Sequence, residues 1–245
     1  MEWGGFNSQE ASTSHLYKKP ASNYMFGPLV DAKASHPDTA LTSLDYLQKS
    51  LTDMGMTYVH ISVDLQLYTV ACQINWYDVH RFKNVVLRPG LIHTVQSFCG
   101  CIGKHMRGSG VETLMSMAFV GLAEIASGKS WARLMRAFRV VSTAILMTFL
   151  TIGHKTLQQL CSYLETCSQH PTGKHWVDNM IKPTLLVHQL LRAEREADFM
   201  LQQLTLERML PYFFAAGHHH YARYITHHLL EMRYLLPPEA KSELK

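Results

Sequence analysis

Residues 56–74, MTYVHISVDLQLYTVACQI, decide how this chain is read. Their first part, Thr57 to Val63, is β-branched and aromatic, which is the composition of a buried or half-buried strand. Asp64 stands at its end. After NWYDVHRFK comes a second short strand, NVVLRPG at 84–90, closed by Pro89 and Gly90. LIHTVQSFCGCIGKHM, 91–106, then has the apolar spacing of a helix, closed by RGSG. Strand, turn and helix in that order predict α/β packing around this point.

Working outward, residues 1–38 are rich in Ser, Gly, Pro, Asn and Lys, with breakers in KKPASNYMFGP and SHPD, and predict an arm with little regular structure. From Thr39, TALTSLDYLQKSLTDMG sets Leu41, Leu44, Leu47 and Leu51 at helical spacing and stops near Gly55. Downstream, helices are expected over Val111–Ala126, Ser130–Ile152, Lys155–Cys167, Lys174 to about Leu210, and Tyr221–Leu235. The fourth of these is expected to bend at Pro183, because an interior proline loses a backbone hydrogen bond and clashes with the preceding turn. The fold class is therefore α/β and mainly helical, with strands around 57–63 and 84–88 and a helical region over 91–235. The expected organisation is an arm (1–38), a single domain (39–236) and a tail (237–245).

The composition suits a buried core: 47% of residues are apolar and 17% charged. Net charge is +4, from 23 basic and 19 acidic residues, an excess that permits a nucleic-acid partner without indicating one. Five cysteines form an odd set with no CxxC pair, which points to a reduced compartment, nucleus or cytoplasm. The longest nearly apolar run, Val140–Ile152, is shorter than the roughly 20 residues of a membrane span. No membrane association is expected.

Several groups of residues could carry chemistry. Asp64 at a strand end is placed as a metal-binding carboxylate would be, or as a helix cap. Glu194 and Asp198 stand at i, i+4, and Glu196 lies between Arg192 and Arg195, an arrangement that suits either a divalent cation or an ion-paired surface. Arg133, Arg136 and Arg139 in RLMRAFR form a stripe able to meet phosphates. Cys99 and Cys101, two apart on a helix, point about 200° apart and favour close packing over zinc. In GHHHYARYITHHLL no two histidines stand three or four apart, so a zinc pair within the segment is not expected, while His227 and Glu231 at i, i+4 leave a mixed site open. The histidines are expected at the surface. Neither a GxSxG elbow nor a phosphate-binding glycine loop occurs.

Taken together, YVHISVDLQLYTVACQI, NVVLRPGLIHTVQSFCGCIGKHMRGSG, ASGKSWARLMRAFRV, HPTGKHWV and MLPYFFAAGHHHYARYITHHL resemble a functionally uncharacterised family of mobile-element-derived, transposon-associated proteins of invertebrate and fish genomes. Its members look like VVLRLGGFHxxMSFLGxIGxxMxGSG, GxxYxRAxRxH and MxPWFxAxDxxNYARYLPxY, in the same order, from about Thr39 to Leu236. The matched motif residues include His93, Tyr221, Arg223 and Tyr224.

The resemblance implies a partial ribonuclease H-like core, in which three carboxylates hold two metal ions against a phosphodiester. Asp64 matches the first position by context. The second falls near LRPGLIHTV, where this chain has His93 and no acid. The third is expected in a helix beyond Lys245. The functional expectation is a truncated, catalytically incomplete transposase-like core that binds nucleic acid or a protein partner. The alternatives are a Mg²⁺- or Mn²⁺-dependent DNA nuclease or recombinase using Asp64 with Glu194 or Glu196, and a helical protein-interaction scaffold.

Overall fold

The computed structural model describes residues 26–117, 131–153 and 156–243. Residues 1–25 of the expected arm, residues 118–126 of the expected Val111–Ala126 helix, and Ser130 and Lys155 lie outside them. The chain is mainly helical with one small parallel sheet. Its described residues fall into two compact units. Among the described residues, unit 1 contains 26–90, 190–204 and 227–243; unit 2 contains 91–117, 131–153, 156–189 and 205–226.

In unit 1, helix α1 (Pro37–Asp53) precedes strand β1 (Val59–Val63), helix α2 (Leu65–Tyr77) and strand β2 (Val85–Pro89). The strands pair in parallel, from Val59↔Val85 to Val63↔Pro89. Parallel strands need a crossover between them, and α2 supplies it, in a segment to which the sequence reading assigns no element. Asp64 starts that helix: the Leu67 N–H donates to Asp64 Oδ1 at 2.8 Å. Gly90 closes the strand pair, its N–H donating to the Val63 carbonyl at 2.6 Å; a Cβ there would stand 2.9 Å from the same oxygen.

Val59, Ile61, Tyr68, Cys72, Phe82 and Leu87 are buried in this unit. A further cluster joins Val86 to Met232, Leu236 and Ala240, with Tyr58 and Phe199 against it. Met232 comes from a π-helical turn (Glu231–Leu235), Leu236 caps that turn, and Ala240 lies in a short helix, Pro238–Glu243, within the expected tail.

Unit 2 holds helices α3 (Leu91–His105), α4 (Val111–Ser116), α5 (Trp131–Thr151), α6 (Leu157–Cys167) and α7 (Pro171–Trp176). A capping box begins α6: Gln159 N–H donates to Thr156 Oγ1, and the Thr156 N–H donates to Gln159 Oε1. The long helix expected over Lys174–Leu210 is segmented. Its parts are α7, a π-helical turn (Val177–Ile181), α8 (Lys182–Glu196) and α9 (Phe199–Ala215).

Pro183 follows closely on the π-helical turn, the helical run continuing unbroken into α8, so the departure from α-helical bonding falls one turn ahead of the proline that cannot donate. The sharper break is at Ala197 and Asp198. Helix α10 (His219–Leu230) matches the expected last helix and runs into the π-helical turn of unit 1.

The core of unit 2 is aromatic. Phe98 meets Phe213 and Tyr212 edge-on at 5.3 and 5.6 Å between ring centroids, and Phe213 stacks on Tyr221 at 5.5 Å. Such pairs add about 0.5–1.5 kcal/mol each beyond their area burial.

Candidate functional site

At the C-terminal end of β2, Arg88 Nη2 donates to Gln202 Oε1 at 3.0 Å and stands 4.0 Å from Glu194 Oε2. Gln202 Nε2 in turn donates to Glu194 Oε2 at 2.6 Å. Glu194 is thus a partner of Arg88 and Gln202. Glu196 pairs instead with Arg192, whose Nε donates to it at 3.0 Å. Asp198 caps α9 by accepting from the Leu201 N–H at 2.9 Å. Each carboxylate therefore has a structural partner of its own.

Asp64 is exposed and occupied as a helix cap, and His93 is exposed in the first turn of α3. Among the described residues no group of three or more His, Cys, Asp or Glu side chains could hold a metal ion. Asp64, Glu194 and Glu196 are not gathered into such a group. Among the described residues the donor set does not fit a two-metal phosphodiester site.

Cys99 and Cys101 are fully buried in the aromatic core of unit 2, as their small size suggests, and burial pushes both thiols well above the ordinary range. They are inert packing residues.

The YARY segment divides by face. Ala222 and Tyr224 are buried, Tyr221 stacks on Phe213, and Arg223 is exposed with its guanidinium 5.5 Å from the centre of the Tyr224 ring. This motif packs a helix start. In the same unit Ser97 Oγ and His218 Nδ1 are 2.7 Å apart, and Lys104 Nζ donates to the Ala216 carbonyl at 2.8 Å. Burial, helped by Lys104, lowers the His218 pKa.

The surface expectation holds for His219 and His220, is met in part by the half-buried His218 and His227, and fails for His228. His228 is 1% exposed in unit 1, its Nε2 3.4 Å from Gln203 Nε2. Burial, reinforced by the charges of Arg88 and His227, lowers its pKa to about 3, so the ring is neutral. His227 Nε2 lies 3.8 Å from Glu231 Oε2 and meets Trp76 edge-on at 4.9 Å. Burial raises Glu231 to about 7 and lowers His227. Cys72 belongs to the same environment, raised to about 12 by burial and, in smaller part, by Glu231. The i, i+4 spacing of His227 and Glu231 made this pair visible; the burial of His228 had no signal in the segment's periodicity.

The basic stripe is placed on the outside. Arg133, Arg136 and Arg139 are all exposed on α5, whereas Met135, Ala137 and Phe138 on the same helix are buried. None of the three arginines is in an ion pair among the described residues. Residues three apart on a helix are neighbours, so the guanidinium groups form one row. The row rises about 9 Å over six residues, the span of about three phosphates at ~3.4 Å each along a duplex strand.

These features define a mainly helical protein with one parallel β-α-β unit and an exposed basic helix face. A family model described as a domain of unknown function, DUF8702, matches residues 2–166 and 151–243, and the chain belongs to that family. No curated protein and no solved structure matches it. Among the described residues no helix is long and apolar enough to cross a membrane.

Proposed function

We propose that this chain is a non-catalytic nucleic-acid-binding protein that contacts the phosphate backbone through Arg133, Arg136 and Arg139. The observation that carries the reading is the row of three exposed guanidinium groups without carboxylate partners among the described residues, on a helix anchored by Met135 and Phe138. Arginine forks suit phosphate oxygens, and an unpaired row keeps that capacity free. Descent from a mobile element, with a partial ribonuclease H-like core whose carboxylate set is incomplete, accords with the motif resemblance and with the engagement of Asp64, Glu194 and Glu196 in capping, hydrogen bonding and ion pairing. Backbone contact without base contact predicts affinity with little sequence preference.

The test is the salt dependence of binding to a fluorescent duplex and to a single strand. Three neutralised phosphates give a slope of log K against log salt of about −2.7 on duplex and about −2 on single strands. The Arg133→Glu/Arg136→Glu/Arg139→Glu variant should lose that slope and most of the affinity while keeping its unfolding midpoint. Wild-type binding that ignores salt, or a variant that binds as well as wild type, overturns the proposal. Mg²⁺- or Mn²⁺-dependent nicking abolished by Asp64→Ala would restore the nuclease alternative.

A further inference from the structure

Unit 1 contains an open cleft of about 970 Å³ formed by α1, by Thr57 and Tyr58 ahead of β1, by Arg81, Lys83 and Asn84 ahead of β2, and by Pro237. Small-molecule sites occupy about 300–1,000 Å³. One wall is held by its own hydrogen bonds. Arg81 grips Asp45 with two of them, Nε to Oδ1 at 2.9 Å and Nη2 to Oδ2. Gln48 Nε2 donates to the Arg81 carbonyl at 2.8 Å and also to Asn84 Oδ1. These contacts neutralise Arg81 with Asp45 and preorganise the turn. The remaining charge of the cleft is that of Lys49, Lys83 and Asp53, none of them in an ion pair among the described residues. Tyr58 is backed by the apolar cluster of Val86, Met232 and Leu236, and the Thr52 and Thr57 side chains complete the lining.

Two ammonium groups, a single spare carboxylate, hydroxyls and an aromatic ring with apolar backing are complementary to a phosphate ester on a hydroxylated sugar that carries a flat base. We propose that this cleft binds a nucleotide phosphate, with Lys49 and Lys83 on the phosphate, Asp53 accepting from the sugar hydroxyls, and Tyr58 against the base. The residues are outside α5, so the inference stands independently of the backbone-binding reading above. The nucleotide is either free or the 5′-phosphorylated end of a strand, and both present the same chemistry.

The experiment is a heteronuclear NMR titration of the full chain with adenosine monophosphate, a 5′-phosphorylated dinucleotide and inorganic phosphate. Nucleotide should shift the amides around residues 45–58 and 81–84, which the cleft residues span. Tighter binding of the dinucleotide than of the mononucleotide assigns the site to a strand end, and the converse assigns it to free nucleotide; either keeps the site. The Lys49→Glu/Lys83→Glu variant should bind about tenfold more weakly or worse at an unchanged unfolding midpoint, and the Lys→Arg pair should retain binding. The triple arginine variant of α5 should leave this titration unchanged, which separates its outcome from that of the proposed function. Equal shifts and affinity with inorganic phosphate would reduce the cleft to a bare anion site and overturn the proposal. So would the absence of shifts with all three ligands, or intact affinity after charge reversal.

Discussion

His227 Nε2 and Glu231 Oε2 lie 3.8 Å apart where α10 gives way to a π-helical turn, and burial holds the carboxyl of Glu231 near a pKa of 7. With its folded pKa above the ordinary value of 4.5, Glu231 favours the folded state when protonated, and that advantage is lost as pH rises from 4.5 to 7. His228, lowered from 6.5 to about 3, acts in the other direction, losing stability as pH falls through that window. Between pH 4.5 and 6.5 the two contributions oppose each other, so the wild-type unfolding free energy should change little from this pair. Glu231→Gln removes only the Glu231 part. The difference between variant and wild type should therefore shift in the variant's favour with rising pH, by up to about 3 kcal/mol at ~1.4 kcal/mol per pKa unit. Urea unfolding at several pH values checks this, and a pH-independent difference would refute it.

Ala197 adopts a left-handed conformation, φ 52°, in the turn between α8 and α9. The Asp198 N–H returns to the Ala193 carbonyl at 2.8 Å, the closure of a helix end that usually has glycine at this position. Ala197→Gly should stabilise unit 1 by about 1 kcal/mol, because the Cβ penalty disappears. Ala197→Val should destabilise it. Denaturant midpoints at constant m-value would show both.

Gly173 stands where a Cβ would come 2.2 Å from the Cys167 carbonyl oxygen, and at Gly90 the corresponding distance to the Val63 carbonyl is 2.9 Å. The clashing atoms are backbone and cannot swing away. Gly173→Ala should therefore cost about 3 kcal/mol or more, and Gly90→Ala about 1–2 kcal/mol, as in overpacked sites generally. Thermal unfolding of the two variants should rank them in that order, and a neutral Gly173→Ala would contradict the close approach.

Asp64 contributes through its cap. Asp64→Ala should cost about 1 kcal/mol, and Asp64→Asn, which retains an acceptor for the Leu67 N–H, much less. Neither loss should depend on Mg²⁺. A Mg²⁺-induced rise in wild-type midpoint that Asp64→Ala abolishes would instead make this residue a ligand.

Much of the helical framework could be read from the chain because its apolar residues line one face. The leucines at 41, 44, 47 and 51 lie on α1, α6 falls within the expected Lys155–Cys167 helix, and α10 begins at His219. The α2 segment escaped because LQLYTVACQINWY carries apolar residues around its circumference, so no periodicity separates a buried helix from a buried strand. The break after Glu196 escaped because RAEREADFM contains neither glycine nor proline; it rests on one alanine held in an unfavourable conformation. For the candidate sites, the spacing of Arg133, Arg136 and Arg139 identified a row, and the spacing of Glu194, Glu196 and Asp198 identified acids. Spacing could not say which charges would be spent on near neighbours.

By itself the sequence determined that this is a mainly helical chain with two short strands, because hydrophobic periodicity and turn residues act over a few neighbouring positions. Tertiary structure alone decided the parallel pairing of β1 with β2, the division into two units, the pairing of Glu194 with Arg88, and the burial that neutralises His228 and raises Glu231. The reason is physical: desolvation and side-chain pairing depend on which groups, often more than a hundred residues distant in the chain, come to lie within a few ångströms.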